Sequence, residues 1–126
     1  MMVMLYFPNG SIKNNYNKLS LKDKLKLFMY ITQGLKAIHS KGFIHKDLHS
    51  GNILRNAYRY CITDLGLCRP VNEDNEKKIF GVLPYIAPEV LRGKKYTQEA
   101  DIYSLGIVAC EIFSVQNSLC YGRNLY

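Results

Sequence analysis

His45-Lys46-Asp47-Leu48-His49-Ser50-Gly51-Asn52, with Asp64-Leu65-Gly66 downstream, is the stretch on which the fold turns. Singly, Asp47, Asn52 and Asp64-Leu65-Gly66 are ordinary turn formers. Together they place two carboxylates and an amide at adjacent loop ends. Between those ends, Ile53-Leu54-Arg55 and Tyr60-Cys61-Ile62-Thr63 are predicted to pair as a short hairpin around Asn56-Ala57. Hard cations such as Mg²⁺ take oxygen ligands of this kind, completed by water and phosphate oxygens. A carboxylate left off the metal can accept a proton from an incoming hydroxyl.

Upstream, Ser20 and Asp23 resemble a helix-opening box. Leu21, Leu25, Phe28, Ile31/Thr32, Leu35 and Ile38 then recur at helical spacing until Gly42, predicting a helix of one apolar face. Met1 to Phe7 reads as a buried strand stopped by Pro8-Asn9-Gly10-Ser11. Downstream, residues 66–86 read as irregular. Pro88 can open a short helix at its first turn. A second long helix is predicted from near Thr97 through Ile112, apolar nearly all round and therefore buried and central. Gly106 inside it suggests a second backbone passing close by.

The chain has 126 residues, within the range of a single domain. At 48% hydrophobic and 21% charged residues its composition is globular rather than disordered. No apolar run reaches the ~20 residues of a membrane span. Met1 to Phe7 lacks the flanks of a signal peptide. Cys61, Cys68, Cys110 and Cys120 form no C-x-x-C pair, so neither a disulfide framework nor a zinc site is expected, and the cytoplasm, or the nucleus, is the expected compartment. Net charge is +7, concentrated in residues 1–60, where ten Lys/Arg face two acids. The lysines lie along the first helix, as a solvated face does, and no nucleic-acid-binding signature accompanies them.

The same residues resemble the eukaryotic protein kinases. The family's H-R-D-L-x-x-x-N loop stands here as H-K-D-L-H-S-G-N at 45–52. D-L-G at 64–66 stands for D-F-G, A-P-E is intact at 87–89, and D-I-Y-S-L-G at 101–106 looks like the start of the family's central helix. The resemblance implies a mainly α fold with a small β-hairpin: a partial kinase domain over residues 1–126, the C-terminal lobe without the small lobe, running from hinge to central helix with an unmatched tail at 116–126. It implies ATP and Mg²⁺ as cofactors and a protein as substrate or partner. Asp47 would be the catalytic base, and Asn52 and Asp64 the metal ligands. Met4, Leu5 and Phe7 would line the adenine site as gatekeeper and hinge, with Leu54 beneath the ring. Asp101 would brace the catalytic loop, while His45 and Leu65 would join an apolar column between lobes.

Departures from the family qualify this. No G-x-G-x-x-G loop occurs, and nothing matches the V-A-I-K lysine or its partner glutamate. Glu89 would pair in the family with an arginine of a later helix that has no match here, leaving a buried carboxylate unpaired. Lys46 replaces the arginine that grips a phosphorylated activation loop, and lysine lacks the bidentate fork. Residues 65–89 hold no Ser or Thr and one tyrosine, Tyr85, which occupies a structural position in the family. His49 stands where a lysine is common; as a cation it could support the transferred phosphoryl group, or it could simply bond the loop backbone. Val82 replaces a threonine that bonds the catalytic aspartate. The pattern leans toward Ser/Thr rather than Tyr acceptors. Two readings result: a protein kinase whose isolated 126 residues are expected to be inactive, or a pseudokinase-like fragment that binds a protein partner.

Overall fold

The computed structural model describes residues 18–55, 60–71 and 82–114. The predicted strand at 1–7 and the tail lie outside them. Ser20 caps the first helix, α1 (Leu21–Ser40): its hydroxyl oxygen accepts the Asp23 amide at 3.2 Å. The helix ends at Gly42, whose φ of 79° few other residues adopt without strain and whose amide bonds the His39 carbonyl.

α1 does bury one face, and Ile31 and Leu35 of the expected stripe lie in it, but over its first turns the buried side is rotated. Leu27, Ile31 and Leu35 are buried, whereas Leu21 and Leu25 are 67% and 56% exposed. Spacings of four residues define both stripes, and packing selects between them. At Gly34 an added Cβ would meet Ile62 at 3.2 Å, which shows how closely α1 lies on the hairpin.

The hairpin forms as expected: β2 (Ile53–Arg55) pairs antiparallel with β3 (Tyr60–Ile62), Leu54 opposite Cys61. It follows β1 (Phe43–Ile44), which pairs with β4 (Arg69–Pro70) inside the segment read as irregular. Two-residue strands leave no periodicity to find. Pro88 opens the one-turn α2 (Pro88–Leu91). Thr97 caps α3 (Gln98–Phe113) by accepting the Ala100 amide at 3.1 Å, with Glu99 and Asp101 in the favourable first turn.

Leu27, Ile31, Leu35, Leu48, Ile53, Leu105, Val108 and Ile112 form the main core; Ile44, Ile86, Val90, Tyr96 and Ala100 form a second cluster under β1. α3 is not buried all round. Ala100, Asp101, Ser104, Leu105, Val108, Glu111 and Ile112 face inward, while Ile102, Tyr103, Gly106, Cys110 and Phe113 are exposed. Among the described residues, nothing beyond its own helix lies within 4 Å of a Cβ built on Gly106, so none of their backbone crosses there. Burial raises the Cys61 and Cys68 thiols above their ordinary value, Asp101 adding to the effect at Cys68, so both stay protonated at neutral pH. Among the described residues no helix is long and apolar enough to cross a membrane.

Because Gly106 faces open space, Gly106→Ala should raise unfolding stability by about 0.5–1 kcal/mol in urea titration. Leu27→Ala, in the fully buried stripe, should lower it by about 2–5 kcal/mol.

Candidate active site

The loop at 45–52 is pinned from α3. Asp101, 2% exposed, accepts the His45 amide on Oδ2 at 2.7 Å and the Lys46 amide on Oδ1 at 3.1 Å. His39, at the end of α1, adds Nε2 to the same Oδ2 at 2.8 Å. These partners compensate a carboxylate that would be costly to bury alone. They also hold Lys46 at a φ of 76°, a left-handed conformation lysine rarely takes.

His45, fully buried, passes this constraint along. Its Nδ1 accepts the Asp47 amide at 3.1 Å, leaving Nε2 to donate to the Thr63 carbonyl at 3.1 Å. The loop is thereby tied to the end of β3. Leu65, expected in an apolar column with His45, is instead 51% exposed. Asp64 takes a left-handed turn (φ 59°, ψ 65°) into the 3₁₀ turn Leu65–Leu67, none of whose residues is buried.

Asp47 is tethered by Asn52 through one of its two carboxylate oxygens. Asn52 Nδ2 donates to the Asp47 carbonyl at 2.8 Å and to Oδ2 at 3.2 Å. Oδ1 is buried and makes no hydrogen bond among the described residues; His49 Nε2 stands 3.4 Å away, at ion-pair distance without hydrogen-bond alignment. Val82 lines the same cleft with Lys46, Leu48, Tyr85, Tyr96 and Ser104, and offers no hydroxyl. A buried acceptor without a donor is the arrangement a substrate hydroxyl could complete.

Asn52 is tied through its backbone to Thr63, the residue before Asp64. The Thr63 amide and hydroxyl both donate to the Asn52 carbonyl, at 2.8 and 3.2 Å. With Nδ2 committed to Asp47, Asn52 Oδ1 remains as a hard oxygen donor, and the exposed Asp64 carboxylate bonds none of the described residues. An amide oxygen and one carboxylate suit Mg²⁺, which keeps waters and phosphate oxygens as its other ligands. Leu54 lies half-buried in β2. Met4, Leu5 and Phe7 fall outside the described residues.

Lys46 is 3% exposed, and its ammonium lies 5.0 Å from the centre of the Tyr96 ring, a cation–π contact where the family's arginine would meet phosphate. Glu89 is only half-buried, so the cost expected of an unpaired buried carboxylate does not arise in full.

Three residues the sequence did not single out complete the frame. His39 is one, and only its bond to Asp101 reveals it. The others are Glu111 and Ser50: the buried Glu111 carboxylate accepts the Tyr85 hydroxyl and, at 3.5 Å, that of Ser50, while the two hydroxyls lie 3.1 Å apart. A charged residue standing alone after the first turn of α3 was the available signal for Glu111. This network buries Tyr85 to 7% exposure, in keeping with a structural tyrosine.

Asp101→Ala strands two loop amides and His39, and should cost about 3–5 kcal/mol in urea unfolding, with Asp101→Asn costing less.

Comparison with known proteins agrees with this frame. The protein kinase domain family matches residues 1–124. The chain is 35% identical to the serine/threonine-protein kinase CLA4 of Candida albicans over 117 residues, 87% of the chain but 12% of that protein. It is 35% identical to the serine/threonine/tyrosine-protein kinase HT1 of Arabidopsis thaliana over 114 residues, 85% of the chain and 29% of that protein. A probable serine/threonine-protein kinase of Encephalitozoon cuniculi is 45% identical over 84 residues, 67% of the chain and 16% of its own length. The chain thus spans a small part of the relatives it matches. With the catalytic-loop pattern, its brace on α3 and a family match over nearly the whole chain in agreement, this chain belongs to the protein kinase family.

Proposed function

We propose that the chain supplies the catalytic lobe of a cytoplasmic, ATP- and Mg²⁺-dependent protein kinase that phosphorylates protein hydroxyls, serine or threonine rather than tyrosine. The observation that carries this reading is Asp47, which lines a small cleft: one carboxylate oxygen is tethered by Asn52, and the other is buried and makes no hydrogen bond among the described residues. Relatives named as serine/threonine kinases support the acceptor class.

In this reading Asp47 Oδ1 accepts the proton of the acceptor hydroxyl as the hydroxyl oxygen bonds the γ-phosphorus of ATP, whose bond to the β–γ bridging oxygen breaks so that ADP leaves. Asn52 has two tasks, orienting Asp47 through Nδ2 and offering Oδ1 to the metal. Asp64 supplies the second ligand. Bound Mg²⁺ would neutralise charge on the ATP phosphates. Asp101 keeps the loop in place, and Lys46 anchors its start on Tyr96. The thiol-bearing, disulfide-motif-free sequence supports the compartment.

The test is phosphoryl transfer from ATP to a degenerate peptide library by the whole kinase that carries this lobe, with an Asp47→Asn control. Transfer to Ser/Thr peptides should fall about 10²–10⁴-fold in the variant, and Asn52→Ala or Asp64→Ala should raise the Mg²⁺ concentration needed. Absence of transfer from both wild type and Asp47→Asn would turn the assignment to a non-catalytic, partner-binding member of the family.

A further inference from the structure

His49 sits in the loop with an extended backbone (φ −158°, ψ 169°) and both ring nitrogens directed. The Gly51 amide lies 3.1 Å from Nδ1. A backbone amide can only donate, so Nδ1 is the acceptor and the ring proton belongs on Nε2. That Nε2–H stands 3.4 Å from Asp47 Oδ1. The ring is also tilted against Tyr85, centroids 5.7 Å apart, and Tyr85 is itself held by Glu111 and Ser50. Thus the imidazole is steered from two sides toward one oxygen.

Gly51 makes that seat. A Cβ there would lie 2.8 Å from His49 Cε1 and 2.9 Å from Nδ1, closer than real side chains approach. Gly51 is not among the residues with positive φ, so its own backbone would accept alanine. What alanine disturbs is the histidine ring.

We infer that His49, seated on Gly51, is the positioning residue for the free oxygen of Asp47. Its fixed Nε2–H attracts Oδ1 electrostatically, yet its misalignment leaves a lone pair open for the acceptor hydroxyl. With valine at position 82, this ring takes over an orienting role that a hydroxyl there could have filled. Gly51 has no functional group of its own and acts through the ring. The cationic role considered for His49 fits this seat less well, since a protonated Nδ1 could not accept the Gly51 amide.

The inference rests on Asp47 as the base, but the seat can be measured without turnover. In ¹⁵N-imidazole NMR of the wild-type chain, His49 should show a protonated Nε2 and an accepting Nδ1. Gly51→Ala should change the His49 pattern and leave those of His39 and His45 intact. A protonated Nδ1 in wild type, or an unchanged His49 in folded Gly51→Ala, overturns the inference. In the transfer assay, His49→Ala and Gly51→Ala should each lower kcat roughly 10- to 100-fold with little change in peptide KM, the scale of a small misplacement. Their double variant should be no worse than either alone, because both remove the same seat. His49→Gln, which can place an amide donor near the Nε2 position, should recover part of kcat; should Gly51→Ala not fold, equal kcat for His49→Gln and His49→Ala overturns the assignment. An Asp47→Asn variant that transfers as well as wild type would sink the base reading alone, since the NMR pattern does not depend on it.

Discussion

Asp101 is a buried carboxylate that satisfies two loop amides and a histidine at once, and the arrangement of the loop at 45–52 follows from that constraint. The energetic logic is asymmetric. Such a charge contributes little net stability against an apolar substitute, but leaving it without partners costs several kcal/mol. Chain conformations that move His45 or Lys46 away from α3 are therefore disfavoured. The left-handed Lys46 is held against its own backbone preference by this bond.

A second buried carboxylate repeats the device further along the same helix. Glu111 lies ten residues after Asp101, about 15 Å at 1.5 Å per residue. Asp101 ties down the first residues of the loop, and Glu111 reaches Ser50 near its end together with Tyr85 from the segment before α2. Asp47 lies between the two attachments. Loop residues are ordinarily the mobile part of a fold; here both flanks of Asp47 are fixed to one helix whose inner face is packed in the core.

The motif at 45–52, both long helices, their capping residues and the β2–β3 hairpin were legible in the sequence, because each is encoded locally, by spacing or by residue type. So was Asp101 as a brace, through the family pattern. What escaped depends on contacts distant along the chain. Whether Leu21 and Leu25 or Leu27 face inward over the first turns is decided by what α1 meets, not by its period. β1 and β4 are too short to show alternation and pair across residues 43–70. Gly106 looked like a close-approach glycine, yet it faces outward. His39 and Ser50 acquire meaning only once α3 brings a carboxylate to each.

The departures from the family's usual residues form a consistent set. An arginine fork at position 46 would suit a phosphate; a lysine ammonium over the Tyr96 ring is satisfied, at least in part, by a partner already in the chain. Tyr85, the one hydroxyl-bearing residue in 65–89, spends its hydroxyl on Glu111 and is nearly inaccessible. At Asp47, valine offers the cleft no hydroxyl, while a histidine braced by a glycine amide stands 3.4 Å from the oxygen. Each change replaces a contact that would need an added group or a distant hydroxyl with one made by residues close at hand. The loop's geometry is then a property of the folded chain itself, carried by buried carboxylates, a tilted imidazole and one glycine without room for a methyl group.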